Sequence, residues 1–231
     1  MRILIVFLLF PLAAFADESR LVEQFFGQDG LDNKREVYTG EMLEHYLDKP
    51  TLGEDLPKGI NVSLRALEQS PRREIYAVLL TKEGISQDWY IYLVNDQNKW
   101  KISAVRNLAL PSMFFMSLQA IQSKPNRTKE EENHYQNMLL TLQLDSELKE
   151  YLHKNIGSLN AIAFEAKTSQ KKATESAKHL NLNLVGYDSS SGIVDVNVGG
   201  ILDNSVGYLF VPPGTEVPQM SDEDYIYIEH V

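Results

Sequence analysis

The chain has 231 residues, no cysteine, and a formal net charge of −10 at neutral pH. The missing thiols exclude disulfide bonds and lipid-modified cysteine, and the acidic balance disfavours nucleic acid and anionic lipid as partners. A chain of this length can bury a core without cross-links, in one large or two small domains.

Residues 1–16 have the pattern of a secretory signal peptide. Arg2 precedes an apolar run over residues 3–10, and Ala14-Phe15-Ala16 forms a small-x-small cleavage site. The run is shorter than the roughly 20 residues that a membrane-spanning helix needs. We predict cleavage after Ala16, a mature chain with no membrane insertion, and a net charge of −11 once Arg2 is removed. An exported chain without cysteine is typical of the bacterial periplasm or exterior.

Two helices and a strand are predicted next. Residues 18–27 form a short amphipathic helix, and Thr39 can cap a second helix over residues 41–47. Alternation of apolar and polar residues over 60–66 predicts a half-buried strand. The stripe of the first helix consists of Leu21, Val22, Phe25 and Phe26.

Three further strands are expected at 75–81, 89–94 and 100–106. These runs of β-branched, aromatic and aliphatic residues are too short for typical helices. Turn-forming residues separate them at 82–84 and 95–98. The sequence therefore predicts four consecutive antiparallel strands.

The end of this sheet carries a resemblance to a known family. Two helices followed by strands that close with Asp88-Trp89-Tyr90-Ile91-Tyr92-Leu93-Val94-Asn95 and Lys99-Trp100-Lys101-Ile102 resemble the nuclear-transport-factor-like superfamily, over residues 18–108. The resemblance implies a sheet curled around helices into a cone whose mouth binds a ligand, hosts catalysis or does neither. Enzymatic members use acidic or histidine side chains inside the cone, whereas 75–81 and 89–94 offer none. No catalytic residue is carried over from the family.

The second half is predicted to repeat the order of helices and then an antiparallel sheet. Helices are expected over 112–122, from Thr128, and after a cap at Asp145. Their apolar positions are Met113, Phe114, Leu118 and Ile121; Tyr135, Met138, Leu139 and Leu142; and Leu148, Leu152, Ile156, Leu159 and Ala163. Strands are expected at 182–187, 193–198, 206–211 and 225–230. The segment Gly207-Tyr208-Leu209-Phe210 resembles a strand of small bacterial α+β domains of no known activity.

The break at Lys124-Pro125-Asn126 helps to place the domain boundary, because proline removes a backbone donor. We predict an α+β protein of two units, 17–110 and 111–231, each with N-terminal helices followed by an antiparallel sheet. The first unit resembles a curved-sheet cone.

Two Glu-x-x-His pairs are the patterns closest to a metal site, since residues three apart share a helix face. They are Glu131 with His134 and Glu150 with His153. Both pairs point mostly away from the apolar stripes of their helices, which favours solvated surfaces. The acidic run at 222–224 lacks the ligand spacing of a calcium loop. We therefore predict no metal, no cofactor and no catalytic residue.

The candidate ligand-binding residues are Trp89, Tyr90, Tyr92 and Trp100. They could line a pocket or pack against one another across strands, as aromatic side chains commonly do. The leading hypothesis is a non-enzymatic, exported module that binds an unknown protein or a small apolar ligand. The alternatives are a structural subunit without a separable ligand and a cone-fold enzyme, isomerase-like or hydrolase-like, with an unidentified site.

Overall fold

The computed structural model describes residues 15–201 and 204–216 and has the predicted α+β class. The chain divides into two compact units, residues 1–106 (unit 1) and 107–231 (unit 2). Across the described ranges, no helix combines the length and the apolar character needed to cross a membrane.

In the described part of unit 1, four helices precede an antiparallel meander. The helices are α1 (Phe15–Phe26), α2 (Lys34–Val37), α3 (Gly40–His45) and α4 (Leu52–Asp55). The strands are β1 (Asn61–Gln69), β2 (Arg73–Lys82), β3 (Ile85–Asp96) and β4 (Lys99–Arg106), paired in that order. All four predicted strands are confirmed, and the predicted helix pair corresponds to α1 and α3. The short helices α2 and α4 were not predicted.

Side chains alternate between two faces of this sheet. On the inner face, α1 and the strands share one buried cluster that includes Val22, Phe25, Val78, Ile91 and Ile102. On the second face, cross-strand neighbours at the centre are buried too: Ile75, Ala77, Tyr92 and Ala104. Because both faces bury apolar residues, β2 is a nearly continuous apolar run.

The hairpin turns confirm the predicted chain reversals. Glu83-Gly84 joins β2 to β3, and Gln97-Asn98 joins β3 to β4. All four residues have positive φ, at 52°, 81°, 54° and 63°. Two-residue loops of this conformation match the right-handed twist of the flanking strands.

In unit 2, the described residues form four helices and a three-stranded antiparallel sheet of order β5-β6-β7. The helices are α5 (Ser112–Gln122), α6 (Lys129–Thr141), α7 (Asp145–Ala166) and α8 (Gln170–Lys178), and the strands are β5 (Leu184–Tyr187), β6 (Val194–Ile201) and β7 (Asn204–Phe210). The sequence did not predict α8, because alanines occupy its buried positions. The predicted strand at 225–230 lies outside the described residues.

The predicted stripe of α6 is wrong at two positions. Leu139 and Leu142 are exposed, whereas Leu140 and Thr141 are buried. Asn137 explains the difference, since its amide donates to the backbone oxygen of Asn181 at 2.7 Å and to a second backbone oxygen on β6. The packed face of α6 therefore includes polar residues that a search for apolar periodicity omits.

The prediction for α7 also needs two corrections. Ile156 is 48% exposed, and the buried face of the helix runs through Leu148, Leu159, Ile162, Ala163 and Ala166. Asp145 is the first helical residue rather than the cap. The capping position is Leu144, whose backbone N–H donates to Glu147 at 2.9 Å.

Candidate functional site

The sheet divides the four predicted aromatic residues between its two faces. Trp89 and Trp100 pack against the inner-face cluster. Tyr90 and Tyr92 lie on the second face, opposite Ala77 and Ile75 of β2. Since residues on opposite faces of a sheet cannot line one pocket, the four do not form a single site.

Two carboxyl groups are buried on the inner face of the sheet of unit 1, one on α1 and one on β2. Glu18 is 8% exposed and Glu74, on β2, is 6% exposed. The hydroxyl of Tyr76 donates to Glu74 at 2.7 Å. We call Glu18, Glu74 and Tyr76 the acidic cluster.

The electrostatics of the acidic cluster are unfavourable to negative charge. Burial raises the pKa of Glu74; the hydrogen bond from Tyr76 opposes this shift, and the charge of Glu18 adds to it. Burial and the bond to Glu74 raise the pKa of Tyr76 as well. Among the described residues, Oε2 of Glu18 has no hydrogen-bond partner.

This cluster was not predicted from the sequence, for a local reason. The apolar run that predicts the second strand begins at residue 75, one position after Glu74. The strands extend further because Ser70 and Arg73 exchange hydrogen bonds across the turn, with the backbone N–H of Ser70 donating to Arg73 at 2.9 Å. A carboxyl group directly flanking an apolar strand was the available signal.

A cleft of about 340 Å³ lies between α7 and α8 in unit 2. On its wall lies Glu165, whose two carboxylate oxygens accept hydrogen bonds from Ser176 and Lys172, each at 2.5 Å. Lys172 and Ser176 hold the pKa of Glu165 below its ordinary value. A carboxylate so stabilised is a poor base, so this group joins two helices rather than activating a hydroxyl. The cleft is lined by Ser158, Ala161, Ile162, Glu165, Ser176, His179 and Leu180.

The remaining candidate is α5, which packs on α6 through one side only. Phe114 and Ile121 are buried with Met138 of α6, and Leu118 and Tyr135 pack against them. Positions 114, 118 and 121 recur at helical spacing, so they define the inner side of α5.

Arg127 fixes the end of α5. Its guanidinium donates to the backbone oxygen of Ile121 at 3.0 Å, stacks over the ring of Tyr135 at 4.0 Å, and pairs with Glu132 at 2.8 Å. A cation beside the last carbonyl groups also complements the helix dipole. These contacts join the C-terminal end of α5 to α6.

The exposed side of α5 carries four apolar residues beside the polar Ser112 and Gln119. Met113 is 67% exposed, Phe115 is 48% exposed, Met116 is 68% exposed, and Ala120 is exposed beside them. We call these four residues the α5 stripe. No charged residue occurs between Arg106 and Lys124.

The α5 stripe was not predicted, because Met113 was grouped with Phe114, Leu118 and Ile121 as apolar positions and no exposed side of the helix was distinguished. The available signal was the run Met113-Phe114-Phe115-Met116, which places apolar side chains around most of a helical turn. A helix that packs through one face needs only a stripe.

The two Glu-x-x-His pairs have ordinary surroundings. Glu131 forms a capping box with Thr128 and pairs with Lys124. His134, Glu150 and His153 are exposed. In the part of the chain that the structure describes, no group of three or more metal-ligating side chains occurs.

Comparisons with protein-family models, curated proteins and solved structures give no match for this chain. The resemblance to the nuclear-transport-factor-like superfamily therefore stays a prediction.

Proposed function

We propose that the protein is an exported, non-enzymatic bacterial module that binds a partner protein through the α5 stripe. The observation that carries this proposal is the exposure of Met113, Phe115 and Met116 on a helix that is fixed from its opposite side. Export is supported by the signal-peptide pattern of residues 1–16.

The chemistry of the stripe favours a partner with an apolar groove. An amphipathic helix that presents anchors three and four residues apart binds such grooves. Methionine side chains are flexible and polarisable, so they adapt to the groove. A small apolar ligand needs a concave pocket, whereas the stripe is the convex side of a helix.

The test uses a double variant in which Met113 and Met116 are both replaced by Gln. Burying a methionine fully contributes about 1.5–3 kcal/mol, and the two side chains begin about two-thirds exposed. We expect the pair to contribute about 2–4 kcal/mol, which weakens binding by roughly 30-fold to 1000-fold. The matched control is Ile85→Gln, since Ile85 is a 77% exposed apolar residue of β3 in unit 1.

The partner is first trapped by a photo-reactive residue at position 116 in native cells, with position 85 as the control. Calorimetry with the purified partner then compares the variants, and a peptide of residues 107–124 should compete. Equal affinity of the double variant and the unmodified protein would contradict the proposal. Self-association that the double variant abolishes would instead identify a second copy as the occupant.

The acidic cluster favours a second candidate function, the cone-fold enzyme. A buried carboxyl group with a raised pKa can act as a general acid. Turnover by the purified protein that is lost in Glu74→Gln, but kept in the Met113 and Met116 variant, would support catalysis over binding.

A further inference from the structure

We propose that removal of residues 1–16 creates the counter-ion of the acidic cluster: the new α-ammonium group of Asp17 pairs with the carboxylates of Glu18 and Glu74. Signal cleavage would then complete the packing of α1 on the sheet. This inference rests on the proposed export, because the α-amino group at Asp17 exists only after cleavage at that bond.

The position of Glu18 on α1 carries the geometric part of the argument. α1 begins at Phe15, so residues 17 and 18 belong to its first turn. Side chains on a helix lean toward its N-terminus, which directs the carboxyl group of Glu18 toward the end of α1 at which cleavage would place the new α-amino group. Glu18 also lies close enough to Glu74 for their charges to interact.

Within residues 15–201 and 204–216, neither carboxyl group has a cationic partner. Each is more than nine-tenths buried. In the described ranges, the hydroxyl of Tyr76 is the one hydrogen-bond donor to Glu74, no donor reaches Oε2 of Glu18, and no lysine or arginine pairs with either. Across the sheet, the neighbour of Glu74 is the uncharged Gln69. Buried carboxylates are costly without a charged or hydrogen-bonding partner.

An α-ammonium group would supply the positive charge and the hydrogen-bond donors that the acidic cluster lacks among the described residues. It carries one positive charge and three N–H donors, enough to bond both carboxylates. Cleavage would also make residue 17 the start of α1, and the free N–H groups of a first helical turn favour nearby negative charge. Charge and donors would thus be added at the same end of the helix.

The test compares recombinant chains that begin at Asp17 with a free or an acetylated amino group, since acetylation removes the charge. We expect acetylation to lower the folding equilibrium constant by about tenfold or more, measured by urea unfolding at pH 7. Glu18→Gln and Glu74→Gln should each reduce this difference, while Glu23→Gln, an exposed site on the same helix, should leave it intact.

A second measurement does not depend on the stability of the variants. Titration of the α-amino group followed by nitrogen NMR should show a pKa above the ordinary value of about 7.7–8.0, because neighbouring carboxylates favour its charged form. Equal stability of the free and acetylated chains, or an ordinary α-amino pKa, would overturn the inference.

Different results would overturn the proposed cleavage before Asp17 and the proposed ion pair of its α-ammonium group. Mass spectrometry of the protein from its native cells shows whether the mature chain begins at Asp17. A different first residue would overturn both the export site and the ion pair. A first residue at Asp17, together with equal stability of the free and acetylated chains, would overturn the ion pair alone.

Discussion

At Glu74, burial and hydrogen bonding act on the carboxyl group in opposite directions. Burial raises its pKa above the ordinary 4.5, the bond from Tyr76 lowers it, and Glu18 raises it; burial has the largest effect. A carboxyl group with a raised pKa takes up a proton more easily in the folded chain than in the unfolded one. Its contribution to stability is therefore complete below pH 4.5 and is lost as the pH rises through the raised pKa.

Because the pKa of Glu74 is raised, we predict how the stability of the acetylated chain that begins at Asp17 depends on pH. Relative to Glu74→Gln, that chain should gain stability as the pH falls from 7 toward 5, because Glu74 becomes protonated while Glu18 and Tyr76 remain its neighbours. Urea unfolding of both proteins at several pH values measures the difference. With a free amino group at Asp17 the gain should disappear, because the ammonium stabilises the carboxylate. Parallel stability curves for the two acetylated chains would show that Glu74 is not perturbed.

Helices α1 and α4 approach each other closely at Gly53. α4 is a single turn held by a capping box between Thr51 and Glu54. A Cβ atom at Gly53 would lie 2.2 Å from the backbone oxygen of Gly27 and 2.3 Å from the carbonyl carbon of Phe26. Backbone atoms cannot move aside as a flexible side chain can, so this position requires glycine.

We expect Gly53→Ala to lower the free energy of unfolding by about 1–3 kcal/mol, as overpacking typically does. The matched control is Gly157→Ala in α7, where a Cβ atom meets nothing within 4 Å. That change should stabilise the protein by about 0.5–1 kcal/mol, since glycine is unfavourable inside a helix. Urea unfolding of the two variants measures both effects. The free energy of unfolding should fall in Gly53→Ala and rise in Gly157→Ala. A Gly53→Ala protein as stable as the unmodified one would contradict the close contact.

The elements differ in how much of them the sequence reveals. The strands of unit 1 were predictable because apolar runs end at residues that tolerate positive φ, such as Gly84 and Asn98. Helix α8 was not, since its buried positions are Ala173 and Ala177. The α5 stripe was missed because composition alone cannot separate a packed apolar residue from an exposed one such as Met116.

At the scale of the whole molecule, each unit has its own core. Among the described residues, the inner-face cluster consists of residues of unit 1, and the clusters around α5 and α7 consist of residues of unit 2. Domains with separate cores are commonly joined by segments that lack regular structure. Residues 107–110 are such a segment, and α5 follows them as part of unit 2.

This organisation predicts where a protease cuts the folded chain. Proteinase K, which cleaves beside many residue types, should act first within residues 107–110, because they form neither helix nor strand. The segment between α5 and α6 should resist, since Arg127 ties it to the backbone oxygens of Ile121 and Gln122. Mass spectrometry of the early fragments should therefore find α5 attached to unit 2. First cuts between Ser123 and Thr128 would show instead that α5 is not held on α6, which would remove the rigid support that the α5 stripe needs for binding.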